Sequence, residues 1–206
     1  MTDLTLPNDP RVTVHALETV WRGRNALQRV RFSFAGSGGA LRGPLSWELL
    51  RRGRAVAVIP YDPVRDTVVL IEQFRLPALA AGLAPWLVEV AAGLADGAET
   101  DEEVAIRETR EETGLAVTAL ARAGRFMLSP GISDETITLF AGRVDAEAGE
   151  AGQAGLVEEG EDIRVFALPA EEAFALPWHG RVVNITTALA LAWLSANRDR
   201  LRREWA

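Results

Sequence analysis

The sequence predicts an α+β protein: a β-sheet core with helices, preceded by a small antiparallel β-meander. Three observations predict it. Residues 11–34 and 41–50 carry alternating apolar positions. Ala55–Pro60 and Thr67–Phe74 are near-continuous Val/Ile runs on either side of an Asp/Pro-rich connector. Residues 100–113 and Asn184–Trp205 repeat at helical spacing.

In chain order, Val12 and Val14, then Leu27, Val30, Phe32 and Phe34, mark two half-buried strands. A glycine-rich turn from Phe34 to Ala40 leads to a third strand over 41–50. Such a meander, residues 1–50, is too small for a core of its own. The main domain then runs over 51–206. Its first two strands are joined by Asp62-Pro-Val-Arg-Asp66, which has the chemistry of a tight turn, so a hairpin follows. Their apolar content implies burial on both faces. Arg75 ends the second strand before a loop, Leu76–Pro85. It either caps the surface or reaches a ligand phosphate, for which a guanidinium is well suited.

Trp86-Leu-Val-Glu-Val-Ala-Ala runs into Gly93, where a missing side chain lets the backbone approach a bound ion or substrate. Residues 115–128 and 135–144 alternate as strands around Leu128-Ser-Pro-Gly-Ile-Ser-Asp-Glu135. The Ala/Gly/Glu-rich patch 146–156 reads as a loop. Glu158-Glu-Gly-Glu-Asp162 is an acid cluster just before a strand at Ile163–Ala167, and the tail reads as an amphipathic helix. With 206 residues, 48% of them hydrophobic, the chain can bury one good core. A net charge of −7 argues against a nucleic-acid backbone as the main partner. There are no cysteines, which excludes disulfides and thiolate metal sites. The N-terminal stretch lacks the pattern of a signal peptide, and Ala188–Leu194 is too short to span a bilayer. The expectation is a soluble, cytoplasmic protein.

The helix at 100–113 concentrates the chemistry. Thr100 and Glu103 form a capping-box pattern, and Asp101, Glu102 and Glu103 load the first turn with the charge a helix dipole prefers. Gly114 is placed for a left-handed end. At about 100° per residue, Glu108, Glu111 and Glu112 share a face, with Val104 among them. Ala105, Ile106, Thr109 and Thr113 gather on the other side to pack on the core. Like charges at i, i+4 and anions in a last turn are unfavourable. A missing cation explains such a patch, and hard oxygen ligands suit Mg²⁺ or Mn²⁺. The competing reading is an ordinary solvated acidic helix.

The full spacing favours the first reading. Gly93, five residues, Glu99, seven residues, then Arg107-Glu-Thr-Arg-Glu-Glu-Thr-Gly-Leu115 resembles the Nudix box throughout. Thr109 departs from it, standing where that family has an aliphatic residue. Further stretches, including Ile71-Glu-Gln-Phe-Arg and Pro85-Trp-Leu-Val-Glu, resemble bacterial ADP-ribose pyrophosphatases, as does Pro130, fifteen residues beyond Leu115.

The resemblance implies a mixed sheet sandwiched between helices, and a homodimer formed largely through the meander. It implies two or three Mg²⁺ ions, with Mn²⁺ as a substitute, held by Glu108, Glu112, Glu161 and the Ala92 carbonyl. Glu159 is then the general base, with Glu111 and Arg107 as further catalytic candidates. Arg107 is spaced to pair with Glu111 and orient the acids. Arg75, Trp47, Pro130, Gly131 and Glu135 are the substrate-contact candidates. Trp47 either stacks on adenine or packs in the core. The implied reaction is hydrolysis of ADP-ribose to AMP and ribose 5-phosphate. The alternatives are another nucleotide sugar or dinucleotide as substrate, a non-catalytic ligand sensor, and an acidic structural domain.

Overall fold

The Val/Ile runs form β4 (Arg54–Asp62) and β5 (Thr67–Phe74), an antiparallel hairpin closed at Tyr61↔Val68 and Asp62↔Thr67. The computed structural model describes residues 5–95, 97–147, 149–155, 160 and 162–205. They fall into two units, Met1–Gly53 with Met127–Thr136, and Arg54–Phe126 with Ile137–Ala206.

The first unit holds β1 (Val12–Arg22), β2 (Ala26–Ala35) and β3 (Leu41–Arg51), an antiparallel sheet in the order β1-β2-β3. Alternation in β2 buries Ala26, Gln28, Val30 and Ser33 and exposes Arg29 and Arg31. The expectation of half-burial fails for β1, which is exposed along nearly its whole length. It is an edge strand whose only sheet partner among the described residues is β2. Residues 127–136 are stapled to the end of β3. Asp134 accepts the Arg52 amide at 2.8 Å and pairs with Arg51 at 2.8 Å, and Leu50 donates to the Ile132 carbonyl at 2.8 Å.

The second unit is built on a sheet in the order β10-β11-β5-β4-β9-β8, from β8 (Ala119–Met127), β9 (Thr136–Arg143), β10 (Gly149–Ala154) and β11 (Ile163–Pro169). Beyond its turn the β4–β5 hairpin parts. There β6 (Trp86–Glu89) pairs with β5 and β7 (Ala91–Leu94) pairs with β4, in the register Ala57↔Ala92 and Val56↔Gly93. The segment that ends at Gly93 is thereby held on β4. The apolar runs are buried on both faces as expected, and Val56, Val58, Leu70 and Ile71 are fully enclosed.

Two sequence readings are corrected. The loop at 76–85 contains a short helix, α1 (Leu76–Ala80), which uses Pro77 in its first turn, where proline costs no hydrogen bond. The supposed loop at 146–156 contains β10, paired with β11 from Gly149↔Ala167 to Ala154↔Ile163. Backbone pairing, not side-chain pattern, makes that strand.

The remaining helices are α2 (Asp101–Thr113), α3 (Ala170–Ala175) and α4 (Ile185–Trp205). Helix α2 packs Val104 and Ala105 against Val56, Val58 and Phe140. Helix α4 buries Ala190, Leu191, Leu194 and Leu201, and Arg198 ties it to Asp66 in the hairpin turn. Among the described residues no helix is long and apolar enough to cross a membrane.

Asp62 organises that turn. It is 1% exposed and accepts from the amides of Val64 (2.8 Å), Arg65 (3.0 Å) and Ala146 (3.0 Å) and from the Arg65 guanidinium (2.7 Å). Burial pushes its carboxyl up, but the Arg65 and Ala146 amides and the Arg65 side chain outweigh it and hold the pKa below the usual value. The unfolded chain therefore takes the proton first. The stability Asp62 contributes is complete above the unfolded pKa of 3.8 and is lost as pH falls below it. Asp62→Ala strands the buried Ala146 amide, at about 1–3 kcal/mol, and is expected to lower Tm by about 2–12 °C. Asp62→Asn is expected to flatten the fall of Tm below about pH 4, measured by calorimetry.

Candidate active site

Helix α2 starts as its sequence dictates. The Thr100 hydroxyl accepts from the Glu103 amide (3.2 Å) while the Glu103 carboxylate accepts from the Thr100 amide (2.8 Å). Gly114 ends it at φ 73°, in the left-handed region. The division of faces differs from the helical-wheel reading. Val104, Ala105, Glu108, Thr109, Glu112 and Thr113 are buried, while Ile106 is 46% exposed. Val104, Glu108 and Glu112 form one i, i+4 row, so the acids lie on the buried side and the outlier of the wheel is the anchor. Thr109 and Thr113 satisfy their hydroxyls on the carbonyls of Ala105 and Thr109, one turn back. This explains how threonine is accepted where an aliphatic residue was expected.

Glu108 and Glu112 are 9% and 4% exposed, one turn apart. Each is fitted to β7. The Glu112 carboxylate accepts the Ala92 amide at 2.8 Å. The Glu108 carboxylate fills the space beside Gly93, where a Cβ would stand 1.8 Å from its Oε1. Gly93 is thus required for close approach of a side chain, and its φ is not in the left-handed region.

Arg107 gathers the acids. It donates to Glu99 through Nε (3.1 Å) and Nη2 (3.3 Å), and through Nη1 to Glu108 (2.7 Å) and Glu111 (3.0 Å). It also reaches the Leu94 carbonyl at 3.4 Å. Its hydrogen bonds to Glu99, then the nearby Glu108 charge, raise the guanidinium above its ordinary range despite burial, so it stays charged. One cation among four carboxylates leaves the face negative. Two buried carboxylates one turn apart repel each other, and an all-oxygen donor set fits a hard divalent ion. The residues present suit such an ion, although no three Asp, Glu, His or Cys among the described residues form a ready-made cage. Glu159 and Glu161, the predicted base and fourth ligand, lie outside the described residues.

The substrate candidates fall in two places. In the first unit Trp47, Pro130 and Gly131 line one groove of about 530 Å³ with Arg29, Ser46, Glu48 and Ile132. Trp47 is 57% exposed and meets Phe32 edge-on at 5.1 Å, which removes the core reading. Glu135 is not in this lining; it pairs with Arg52 at 3.1 Å. In the second unit Arg75 is gripped by Glu89 on β6, through Nε at 3.1 Å and Nη2 at 2.7 Å, and Gln73 supports Glu89 at 3.2 Å. Its head group is oriented by that carboxylate. Sequence reasoning assigned no role to Glu89, Arg54 or Thr138 and reads Asp101 only as first-turn charge; Arg54, Asp101 and Thr138 form a cluster at the start of α2. Their contacts join residues 14–47 positions apart, so no local pattern signals them.

The fold and this face define an α+β protein with buried carboxylates presented by one helix against a glycine-bearing strand. The chain belongs to the Nudix family: the NUDIX domain model matches residues 51–186. It is 38% identical over 195 residues, 95% of this chain and 93% of the other, to the ADP-ribose pyrophosphatase of Escherichia coli strain K12. It is 34% identical over 147 residues, 71% of this chain and 75% of the other, to the GDP-mannose pyrophosphatase of Yersinia enterocolitica. Among solved structures, an ADP compounds hydrolase matches the fold with a TM-score of 0.69 at 21% identity, covering 97% of this chain and 99% of that one.

Proposed function

We propose that this chain hydrolyses the diphosphate of ADP-ribose, giving AMP and ribose 5-phosphate, with the help of divalent cations. The observation that carries the chemistry is the buried Glu108–Glu112 pair seated on the backbone of Ala92 and Gly93. The substrate follows from the relative that matches almost the full length. Nudix hydrolases generally use divalent metal ions. Mg²⁺ in this reading would be held by Glu108, Glu112, Glu161 and the Ala92 carbonyl. When bound it would offset the diphosphate charge and make a water more acidic.

The chain's own residues do the rest. Arg107 holds Glu99, Glu108 and Glu111 in place. Glu159 accepts the proton of the attacking water. Arg75, prepared by Glu89, meets phosphate oxygens, for which its planar fork is suited. Trp47 stacks on the adenine in the groove floored by Pro130 and Gly131. Glu135 takes a ribose hydroxyl once it leaves Arg52. The exposed apolar residues of the first sheet, Val12, Val14, Val20 and Trp21, support a homodimer through this unit.

The test is Mg²⁺-dependent turnover of ADP-ribose, ADP-glucose, GDP-mannose, NADH and diadenosine polyphosphates. ADP-ribose is expected to have the highest kcat/KM by at least tenfold. A higher value for GDP-mannose would keep the chemistry and overturn the substrate. Binding of ADP-ribose with no turnover of anything would make the chain a sensor.

A further inference from the structure

We propose that Arg54 is a positioning residue for the carboxylate face, acting through the backbone of Glu99 without touching substrate or metal. The inference rests on reading Glu108 and Glu112 as cation ligands. Arg54 opens β4 and donates through Nη1 to Asp101 and through Nη2 to the Glu99 carbonyl, both at 2.5 Å. Thr138 on β9 donates to the other oxygen of Asp101 at 2.7 Å. Two sheet strands and the segment leading into α2 are thereby tied at one point. The Arg54 and Asp101 side chains are 31% and 16% exposed, so water screens this pair less than a surface pair.

Starting the helix does not require this contact. The capping box of Thr100 and Glu103 caps that end without it. Glu99 lies before the cap, outside the helix, and is held from both sides. Arg54 holds its carbonyl, and Arg107 holds its carboxylate by two bonds. Arg107 in turn fixes Glu108 and Glu111. Glu99 is therefore the link through which the guanidinium of Arg54 sets the position of Arg107 and, beyond it, of Glu108. Partners one step removed from a ligand typically change metal affinity by about 10–100-fold when removed.

The test measures Mn²⁺ binding to the metal-free protein by electron paramagnetic resonance of free Mn²⁺. It compares Arg54→Gln, Arg54→Lys, Thr138→Val, Glu99→Ala, the double variant Arg54→Gln/Glu99→Ala, and Glu112→Gln. Arg54→Gln is expected to weaken Mn²⁺ binding about tenfold. It should raise the Mg²⁺ needed for half-maximal rate by the same factor, with KM for ADP-ribose at saturating metal unchanged. Arg54→Lys should recover part of the loss, and Thr138→Val should show about a threefold loss.

In the Glu99→Ala background Arg54→Gln should add nothing, because the link is already cut. A lowered Tm with wild-type Mn²⁺ affinity would overturn the proposal, as would an undiminished tenfold effect in that background. If Arg54→Gln fails to fold, Arg54→Lys and Thr138→Val decide by the same affinity criterion. Glu112→Gln separates the two readings. Unchanged Mn²⁺ affinity there removes the ligand assignment and this proposal with it. Weakened affinity there, with none in the Arg54 variants, removes this proposal alone.

Discussion

Glu112→Gln is expected to lower kcat about a thousandfold while leaving the fold intact. The proposed role in binding a cation needs the negative charge, and a metal ion supplies several kcal/mol of transition-state charge stabilisation. Its role in the fold needs only an oxygen. The Ala92 amide donates to Oε2 at 2.8 Å, and the amide oxygen of glutamine can accept that bond equally well. Replacing one of two like charges at i, i+4 also relieves a few tenths of a kcal/mol of repulsion. The Tm of the metal-free protein should therefore stay level or rise slightly, while the rise in Tm on adding Mg²⁺ should vanish. Thermal scans with and without Mg²⁺, beside single-turnover rates, check both halves. A rate within tenfold of wild type would sink the assignment of Glu112.

Gly93→Ala produces the second large effect by a different route. A methyl there would lie 1.8 Å from Oε1 and 2.0 Å from Cδ of Glu108. Since these atoms end a flexible side chain, the collision is relieved by moving the carboxylate, at a cost of about 1 kcal/mol in stability. The activity has no such escape. Displacing a proposed ligand by about 1 Å is enough to cost about a hundredfold in rate. The expected result is a Tm within a few degrees of wild type, kcat reduced about a hundredfold, and weakened Mn²⁺ binding. Full activity would mean that Glu108 works from another position.

Much of this was legible in the sequence because it is local. The capping box, the left-handed Gly114 and the Arg107–Glu111 spacing involve residues within one or two turns, where backbone geometry alone sets who meets whom. Continuous Val/Ile runs foretold fully buried strands for the same reason. The Gly93–Glu108 contact was not local, yet the box carried it as a spacing. The wheel misjudged Ile106 and Val104, because it ranks residues by polarity and here the buried face has to carry acids.

The rest came from long-range contacts. That β6 and β7 enter where the β4–β5 hairpin parts depends on competition among backbone donors, which no side-chain pattern records. The same holds for β10, whose Gly/Ala/Glu sequence offers no strand signal and whose pairing with β11 makes it a strand. The fate of the arginines was open too. Glu89 holds Arg75, while Arg54 meets Asp101 and the Glu99 carbonyl, with Thr138 on the other oxygen of Asp101. A guanidinium reads the same in every sequence. Its function is set by which carboxylates and carbonyls the fold carries to its five donors, and those come from distant parts of the chain.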